Sequence, residues 1–131
     1  MDALYQEQIL SLARLARQSP DMAAPTHHAS MKNPTCGDEA TVKAIIKDDV
    51  IEALSVHIQG CALCEAGAGL LLQQAANKSL SDMHNISDAL TRFLKAEGEE
   101  DRPEFLAFTP VQQVKNRHKC VSLSFQALQK L

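Results

Sequence analysis

A chain of 131 residues is long enough to bury one real core and too short for two domains of ordinary size. Its 45% apolar and 22% charged residues are those of an ordinary soluble protein, and a formal charge of −3 with scattered Lys and Arg argues against nucleic acid as principal partner. No run approaches the roughly 18–20 apolar residues of a membrane span, and Met1-Asp2-Ala3-Leu4 lacks the basic start of a signal peptide, so a cytoplasmic location without membrane contact is expected.

Residues 2 to 18 are predicted as an amphipathic helix, with Tyr5, Ile9, Leu12 and Ala16 on one stripe of a 3.6-residue period. Arg14 and Arg17 fall in its last turns, where cations suit the negative helix end. Residues 19–32 read as a polar connector, because Pro20 and Pro25 make a helix improbable. Its His27-His28 pair is expected to be solvent-exposed, since neighbouring histidines rarely face one ion. In Asn33-Pro34-Thr35-Cys36-Gly37-Asp38, Pro34 stiffens the approach and Gly37 allows a sharp bend. The bend can aim Cys36 and Asp38 at one point, and a soft sulfur beside a hard oxygen suggests a metal ligand pair.

From Glu39 the period changes to two. Val42, Ala44 and Ile46 alternate with Thr41, Lys43 and Ile45; Asp48-Asp49 forms a turn; Leu54, Val56 and Ile58 alternate with Ala53, Ser55 and His57. This is a β-hairpin pattern with one buried face, and it leaves His57 exposed. Residues 61 to about 76 are predicted as a largely buried helix in which Gly67 and Gly69 mark the close approach of another backbone. Ser81 or Asp82 is expected to cap a further helix through Ala96, with Met83, Ile86, Leu90 and Phe93 inward and His84 facing solvent. Gly98 to Pro103 reads as an acidic linker, and Glu104 to Phe108 as a short helix closed by Pro110. The last helix is predicted from Cys120 to Leu131, with Val121, Phe125 and Leu128 inward and Arg117, His118 and Lys119 at its entrance.

In a reducing compartment Cys36, Cys61, Cys64 and Cys120 are expected as ligands, reactive thiols or buried apolar residues rather than as disulfides. Cys61 and Cys120 each open a helix, where free N–H groups favour thiolate and are expected to lower the thiol pKa from about 8.5 to roughly 3.5–7.5. Three thiolates, Cys36, Cys61 and Cys120, with the Asp38 carboxylate would complete a tetrahedral site. Cys61 and Cys64 also form a C-x-x-C. The β-α-β surroundings of a thioredoxin-like redox pair are absent, which leaves Cys64 either as a fourth ligand in place of Asp38 or as a small buried thiol, the preferred reading.

Asn33-Pro-Thr-Cys36-Gly-Asp38, Gly60-Cys61-Ala-Leu-Cys64-Glu-Ala66 and Arg117-His-Lys-Cys120-Val-Ser-Leu123 together resemble the three signature segments of the iron–sulfur cluster assembly scaffolds of the IscU/SufU type, the NifU N-terminal domain. The resemblance extends from Leu4-Tyr5-Gln6 to Ala127-Leu128. It implies a single α+β domain over residues 1–131, an antiparallel three-stranded sheet packed against several helices, with the metal site at one end. By position it puts the ligands of zinc or a [2Fe–2S] cluster on Cys36, Asp38, Cys61 and Cys120. It further implies an iron–sulfur cluster assembly protein, a scaffold or sulfur carrier more than a free-standing enzyme. Such a protein accepts persulfide sulfur from a cysteine desulfurase and passes sulfur or cluster to acceptor proteins. Cys36, on the Gly37 turn, is the expected sulfur acceptor, with Cys120 second. The alternative is a zinc-dependent sulfurtransferase that stimulates a desulfurase without building a cluster.

Several positions depart from the family pattern. The scaffold branch has a histidine directly before its last cysteine; here Lys119 stands there and His118 one earlier, while Arg117 and the longer 64–120 interval look SufU-like. Leu15-Ala16-Arg17-Gln18 replaces the usual Asn-Pro-Arg, and the serines of the usual Ala-Ser-x-Ser are Gly67 and Gly69. None of these departures touches the expected ligands.

Overall fold

The computed structural model describes residues 2–35, 37–97 and 102–131. Helix α1 runs Ala3–Arg17 and is started by Asp2, whose carboxylate accepts the Leu4 N–H at 2.8 Å, as an N-cap should. Ile9, Leu12 and Ala16 of the expected stripe are buried, joined by Ala13. Arg17 does more than suit the helix end: its guanidinium holds Glu65 by two hydrogen bonds of 2.8 and 2.9 Å.

The 19–32 connector needs correcting, because its last six residues, His27–Lys32, form strand β1. This strand pairs antiparallel with β2 (Glu39–Lys47), which pairs antiparallel with β3 (Val50–Gln59), giving the sheet order β1-β2-β3. The segment His-His-Ala-Ser-Met-Lys lacks β-branched and aromatic residues, so strand propensity was silent. The backbone ladder to β2 holds it at the sheet edge, where His28 is exposed and His27 half-buried against Thr26 Oγ1 at 2.8 Å.

The hairpin forms where expected and leaves His57 exposed, but Ser55, on the expected polar phase of β3, is buried beside Val56. Asp48 and Asp49 both take positive φ, +52° and +68°, the backbone hand that joins twisted strands with a two-residue loop. One residue, Glu52, is extra on β3: Ile45 pairs with Ala53 but Ile46 pairs with Ile51. This bulge turns Ile51 and Leu54, three residues apart, toward the same core.

Helix α2 (Ala62–Ala75) lies between α1 and helix α4 (His118–Leu128), and both α2 and α4 pack on the sheet. The two predicted close approaches are present. A Cβ on Gly67 would collide with the Val121 carbonyl of α4, and one on Gly69 with the Leu12 carbonyl of α1. Helix α3 (Leu80–Leu94) packs against α4. Its cap is Ser79, whose hydroxyl accepts the Asp82 N–H at 3.0 Å, rather than Ser81 or Asp82. Met83, Ile86 and Leu90 are buried, but His84 does not simply face solvent: it is half-buried, its Nε2 enclosed without a hydrogen-bond partner.

Residues 98–101 of the expected acidic linker lie outside the described residues. The helix expected over Glu104–Phe108 is a longer 3₁₀ helix, Pro103–Gln113, which runs through Pro110 instead of stopping there. Its buried Phe105, Phe108 and Val111 recur every three residues, the 3₁₀ repeat, so a 3.6-residue search could not find it. A further 3₁₀ turn, Lys115–Arg117, leads into α4, which starts two residues before Cys120 and buries Val121, Phe125 and Leu128. Among the described residues no helix is long and apolar enough to cross a membrane.

Replacing Gly67 by Ala gains about 1 kcal/mol of helix propensity. It also drives a methyl group into a backbone carbonyl that cannot rotate away, and overpacking of this kind costs about 1–3 kcal/mol or more. The clash wins: Gly67→Ala should shift the urea midpoint down, and an unchanged or higher midpoint would show that α2 and α4 are not in backbone contact.

Candidate metal centre

Three segments converge at one end of the sheet. The first is the turn 33–38, tied by its own backbone: the Asn33 N–H donates to the Asp38 carbonyl and the Gly37 N–H to the Asn33 carbonyl, both at 2.8 Å. The buried Asn33 side chain also accepts the Thr35 N–H at 3.1 Å. Gly37 takes φ +79°, the bend expected of it. Cys36 lies outside the described residues. Asp38 leaves the turn half-buried and enters β2 directly.

The second segment is the start of α2. Cys61 is the N-cap residue, extended at φ −79° and ψ 171°, and its side chain makes no capping bond, so the sulfur is available to a ligand. Cys64 follows one turn on, completely buried. Residues three apart share a helix face, and here the sulfurs of Cys61 and Cys64 lie 3.8 Å apart. The third segment is the first turn of α4, where Cys120 is buried and its sulfur lies 3.8 Å from Asp38 Oδ2. Cys64 reaches the same oxygen at 3.0 Å.

The structure thus brings together Asp38, Cys61 and Cys120 of the expected set, and adds Cys64. Their ligand atoms all lie within 4.8 Å of one another. Cys64 is the buried thiol that the preferred reading expects, and its sulfur also stands at the cluster, as the alternative reading from the i, i+3 spacing of the C-x-x-C expects, though beside Asp38 and not in its place. Among the described residues no histidine joins this cluster. His118 turns its Nε2 to the carbonyls of Val111 and Gln112, 3.0 and 3.2 Å away, and so ties α4 to the 3₁₀ helix.

The donor set fits a thiophilic ion. Zinc–sulfur bonds of about 2.3 Å at tetrahedral angles put two sulfurs about 3.8 Å apart, the separation found between Cys61 and Cys64. Three sulfurs and one carboxylate oxygen favour zinc or iron over magnesium or calcium.

The surroundings carry both signs of charge. Arg117 Nη1 stands 3.8 Å from the Cys61 sulfur. Beside Cys120 opens a cavity of 390 Å³ lined by Asn33, Thr35, Lys115, Arg117 and Lys119. Within the cluster, however, the helix ends do not prevail. Burial, then the hydrogen bond to Asp38, then the negative charge of the other thiols push the Cys64 thiol far up. Burial and the charge of Cys61 push Cys120 up to about 11, although Arg117 pulls the other way. The expected lowering therefore fails at Cys120, where burial and neighbouring negative charge outweigh the helix start and Arg117.

Two measurements follow from this geometry. A Cβ on Gly60 would stand 2.8 Å from Asp38 Cγ, so Gly60 provides the space into which that carboxylate leans. Gly60→Ala should weaken metal binding about 10–100-fold, the usual cost of disturbing a ligand's support, as read by competition with a chromophoric chelator; undiminished affinity would remove Asp38's placement from the site. The second concerns the metal-free chain. Below the ordinary thiol value of 9.0, folded and unfolded chains both keep the Cys120 proton; between 9.0 and about 11 only the folded chain does. Folding then binds a proton that becomes scarcer, so stability falls as pH rises through this window. Denaturation of chelator-treated protein should show that fall, and Cys120→Ser should flatten it; equal slopes would refute the assignment.

Comparison with known proteins identifies the family and the fold. Residues 4–107 match the family described as the NifU-like N terminal domain, a span that holds Asp38, Cys61 and Cys64 and stops short of Cys120. The zinc-dependent sulfurtransferase SufU of Bacillus subtilis is 24% identical over 133 residues, covering 99% of this chain and 90% of that protein. The iron–sulfur cluster assembly scaffold protein IscU of Thermotoga maritima is 24% identical over 128 residues, covering 95% and 89%. The crystal structure of an N-terminal NifU-like protein from Brucella abortus superposes with TM-score 0.84 at 25% identity, covering 96% of this chain and 90% of that one. A putative assembly scaffold of the SUF system from Fervidobacterium islandicum shares the fold with TM-score 0.87 at 20% identity, covering 95% and 93%. Fold, segment order and sequence match agree: the chain belongs to the NifU-like N-terminal domain family.

Proposed function

We propose that this chain is a sulfur-accepting protein of iron–sulfur cluster assembly that holds zinc or a cluster iron through cysteines and Asp38. The observation that carries the proposal is the meeting of one carboxylate and three sulfurs, from segments up to 82 residues apart, within 4.8 Å. Asp38, Cys61 and Cys120 would hold the metal, with Cys36 the fourth ligand in the resting state. A bound zinc ion would keep these sulfurs as thiolates and fix their orientation.

Cys36 stands in the sequence between Thr35 and Gly37, both exposed, and in this proposal it is the acceptor. Its thiolate attacks the outer sulfur of a persulfide presented by a cysteine desulfurase. A new sulfur–sulfur bond forms at Cys36, the donor's sulfur–sulfur bond breaks, and the donor cysteine leaves as thiolate with the electron pair; the persulfide proton stays with the transferred sulfur. No net oxidation occurs. Lys115, Arg117 and Lys119 line the cavity beside Cys120 and would attract the anionic donor to this face. The product is passed, as sulfur or as assembled cluster, to acceptor proteins.

A second reading, a zinc-dependent sulfurtransferase that builds no cluster, draws on Arg117 over Cys61 and on His118 turned away from the centre. Metal analysis of anaerobically purified protein separates the two: tightly held zinc favours sulfur transfer alone, a reconstituted visible cluster favours scaffolding. Both require stoichiometric metal, and both require sulfide production by a cysteine desulfurase to rise when the chain is added and to return to background with Cys36→Ser. A chain that carries no metal, or a Cys36→Ser variant that stimulates like the wild type, would overturn the proposal.

A further inference from the structure

The C-x-x-C of residues 61–64 places two free thiols on one helix turn, their sulfurs 3.8 Å apart. A disulfide holds its sulfurs about 2.05 Å apart, so a closing movement of about 1.8 Å joins them. Cys61 can supply that movement. It is the half-buried N-cap residue, extended at φ −79° and ψ 171°, and its side chain makes no capping bond. Its carbonyl is committed to the Glu65 N–H at 3.1 Å, so a swing of the sulfur costs the helix no hydrogen bond. Arg117 Nη1 adds a positive charge 3.8 Å from the same sulfur, and a partly exposed, electropositive setting is where cysteines react. Cys64 is the buried half of the pair, in a turn held by Arg17–Glu65 outside and by Gly67 against the Val121 carbonyl inside. The Cys120 sulfur also lies within 4.8 Å, but it rides on α4. Bonding it to α2 would need the two helices to shift, which the Gly67–Val121 contact opposes. A bond from Cys61 to Cys64 closes within one turn and moves neither helix.

We propose that Cys61 and Cys64 form a dithiol–disulfide couple that exchanges with small-molecule disulfides of the glutathione class. First the Cys61 sulfur attacks the external disulfide: a bond forms from Cys61 to one of its sulfurs, the external sulfur–sulfur bond breaks, and one thiolate leaves with the electron pair. Cys64 then attacks the Cys61 sulfur and expels the second external thiolate. Each protein thiol gives up its proton, and the two leaving thiolates take up as many. Two protein thiols are oxidised to one disulfide while the external disulfide is reduced to two thiols, and excess small thiol reverses both steps. With the bond closed, Cys61 no longer offers a free sulfur, so the thiol–disulfide balance around the protein governs how many donors stand beside Asp38. In a reducing compartment such bonds are transient and redox-sensing rather than structural. The couple rests on the geometry of α2 and not on the sulfur-acceptor reading.

The test equilibrates the full chain, with chelator present so that no ion competes for the thiols, against mixtures of reduced and oxidised glutathione. Free thiols are then blocked with N-ethylmaleimide in acid and located by mass spectrometry. Of the four thiols, two should be lost together, both from the peptide that carries residues 61–64, and excess reduced glutathione should restore them. The α-helical circular dichroism should be the same before and after closure, because the bond lies within one turn. Cys64→Ser should stop at the mixed disulfide of Cys61 with glutathione. Four free thiols in the most oxidising mixture would overturn the proposal, as would a disulfide mapped to any other pair of cysteines or a loss of helical signal on closure. The wild-type map decides even where the variant does not fold. The sulfur-acceptor reading is decided separately, by the desulfurase assay.

Discussion

The contact between Gly67 and the Val121 carbonyl is the constraint from which the rest follows. At this point the backbones of α2 and α4 meet directly, because Gly67 has no side chain to stand between them. Gly67 lies three residues after Cys64, and Val121 directly follows Cys120. The contact therefore sets the register of one helix start against the other and lays Cys120 beside the C-x-x-C. A larger residue at 67 would move α4 outward, and Cys120, carried on its first turn, would move with it. Packing and ligand geometry are the same fact at this point of the molecule.

The opposite wall of the centre is made by the sheet. The backbone bonds that close the 33–38 turn deliver Asp38 at the start of β2, and Gly60, at the end of β3, leaves room for its carboxylate. Glu39 pairs with Gln59, so the hairpin ladder itself sets the distance between Asp38 and the start of α2. Four groups that repel one another when ionised are in this way forced together by hydrogen bonds and apolar packing elsewhere. The fold stores that unfavourable arrangement, and the raised thiols at Cys64 and Cys120 are its electrostatic signature. A cation relieves it.

Periodic elements were legible from residues alone. The stripe of α1, the alternation of β2, and the paired glycines of α2 each report a local regularity or a local vacancy, and each is where the sequence placed it. What stayed hidden depended on partners. Strand β1 has no strand-like composition and exists because β2 offers it a ladder. The 3₁₀ helix hides behind a three-residue repeat and an internal proline. The cap at Ser79 is masked by Ser81 and Asp82, which also have capping side chains. At the centre, ligand types and order could be read from the motifs, but orientation could not. Cys64 is buried as part of the apolar core, and only the tertiary structure shows that its sulfur also meets Asp38.

The same distinction explains why charge rules applied to isolated helices mislead here. A helix N-terminus contributes a fraction of a unit charge that falls off within a turn. Against it stand the loss of water around a buried sulfur and the full charges of neighbouring donors a few ångströms away, which weigh more at short range in a dry site. At Cys120, Arg117 and the helix start together do not reverse that balance. Crowding and burial raise the thiols of Cys64 and Cys120, and a bound cation would do more to turn them into thiolates than the helices that carry them.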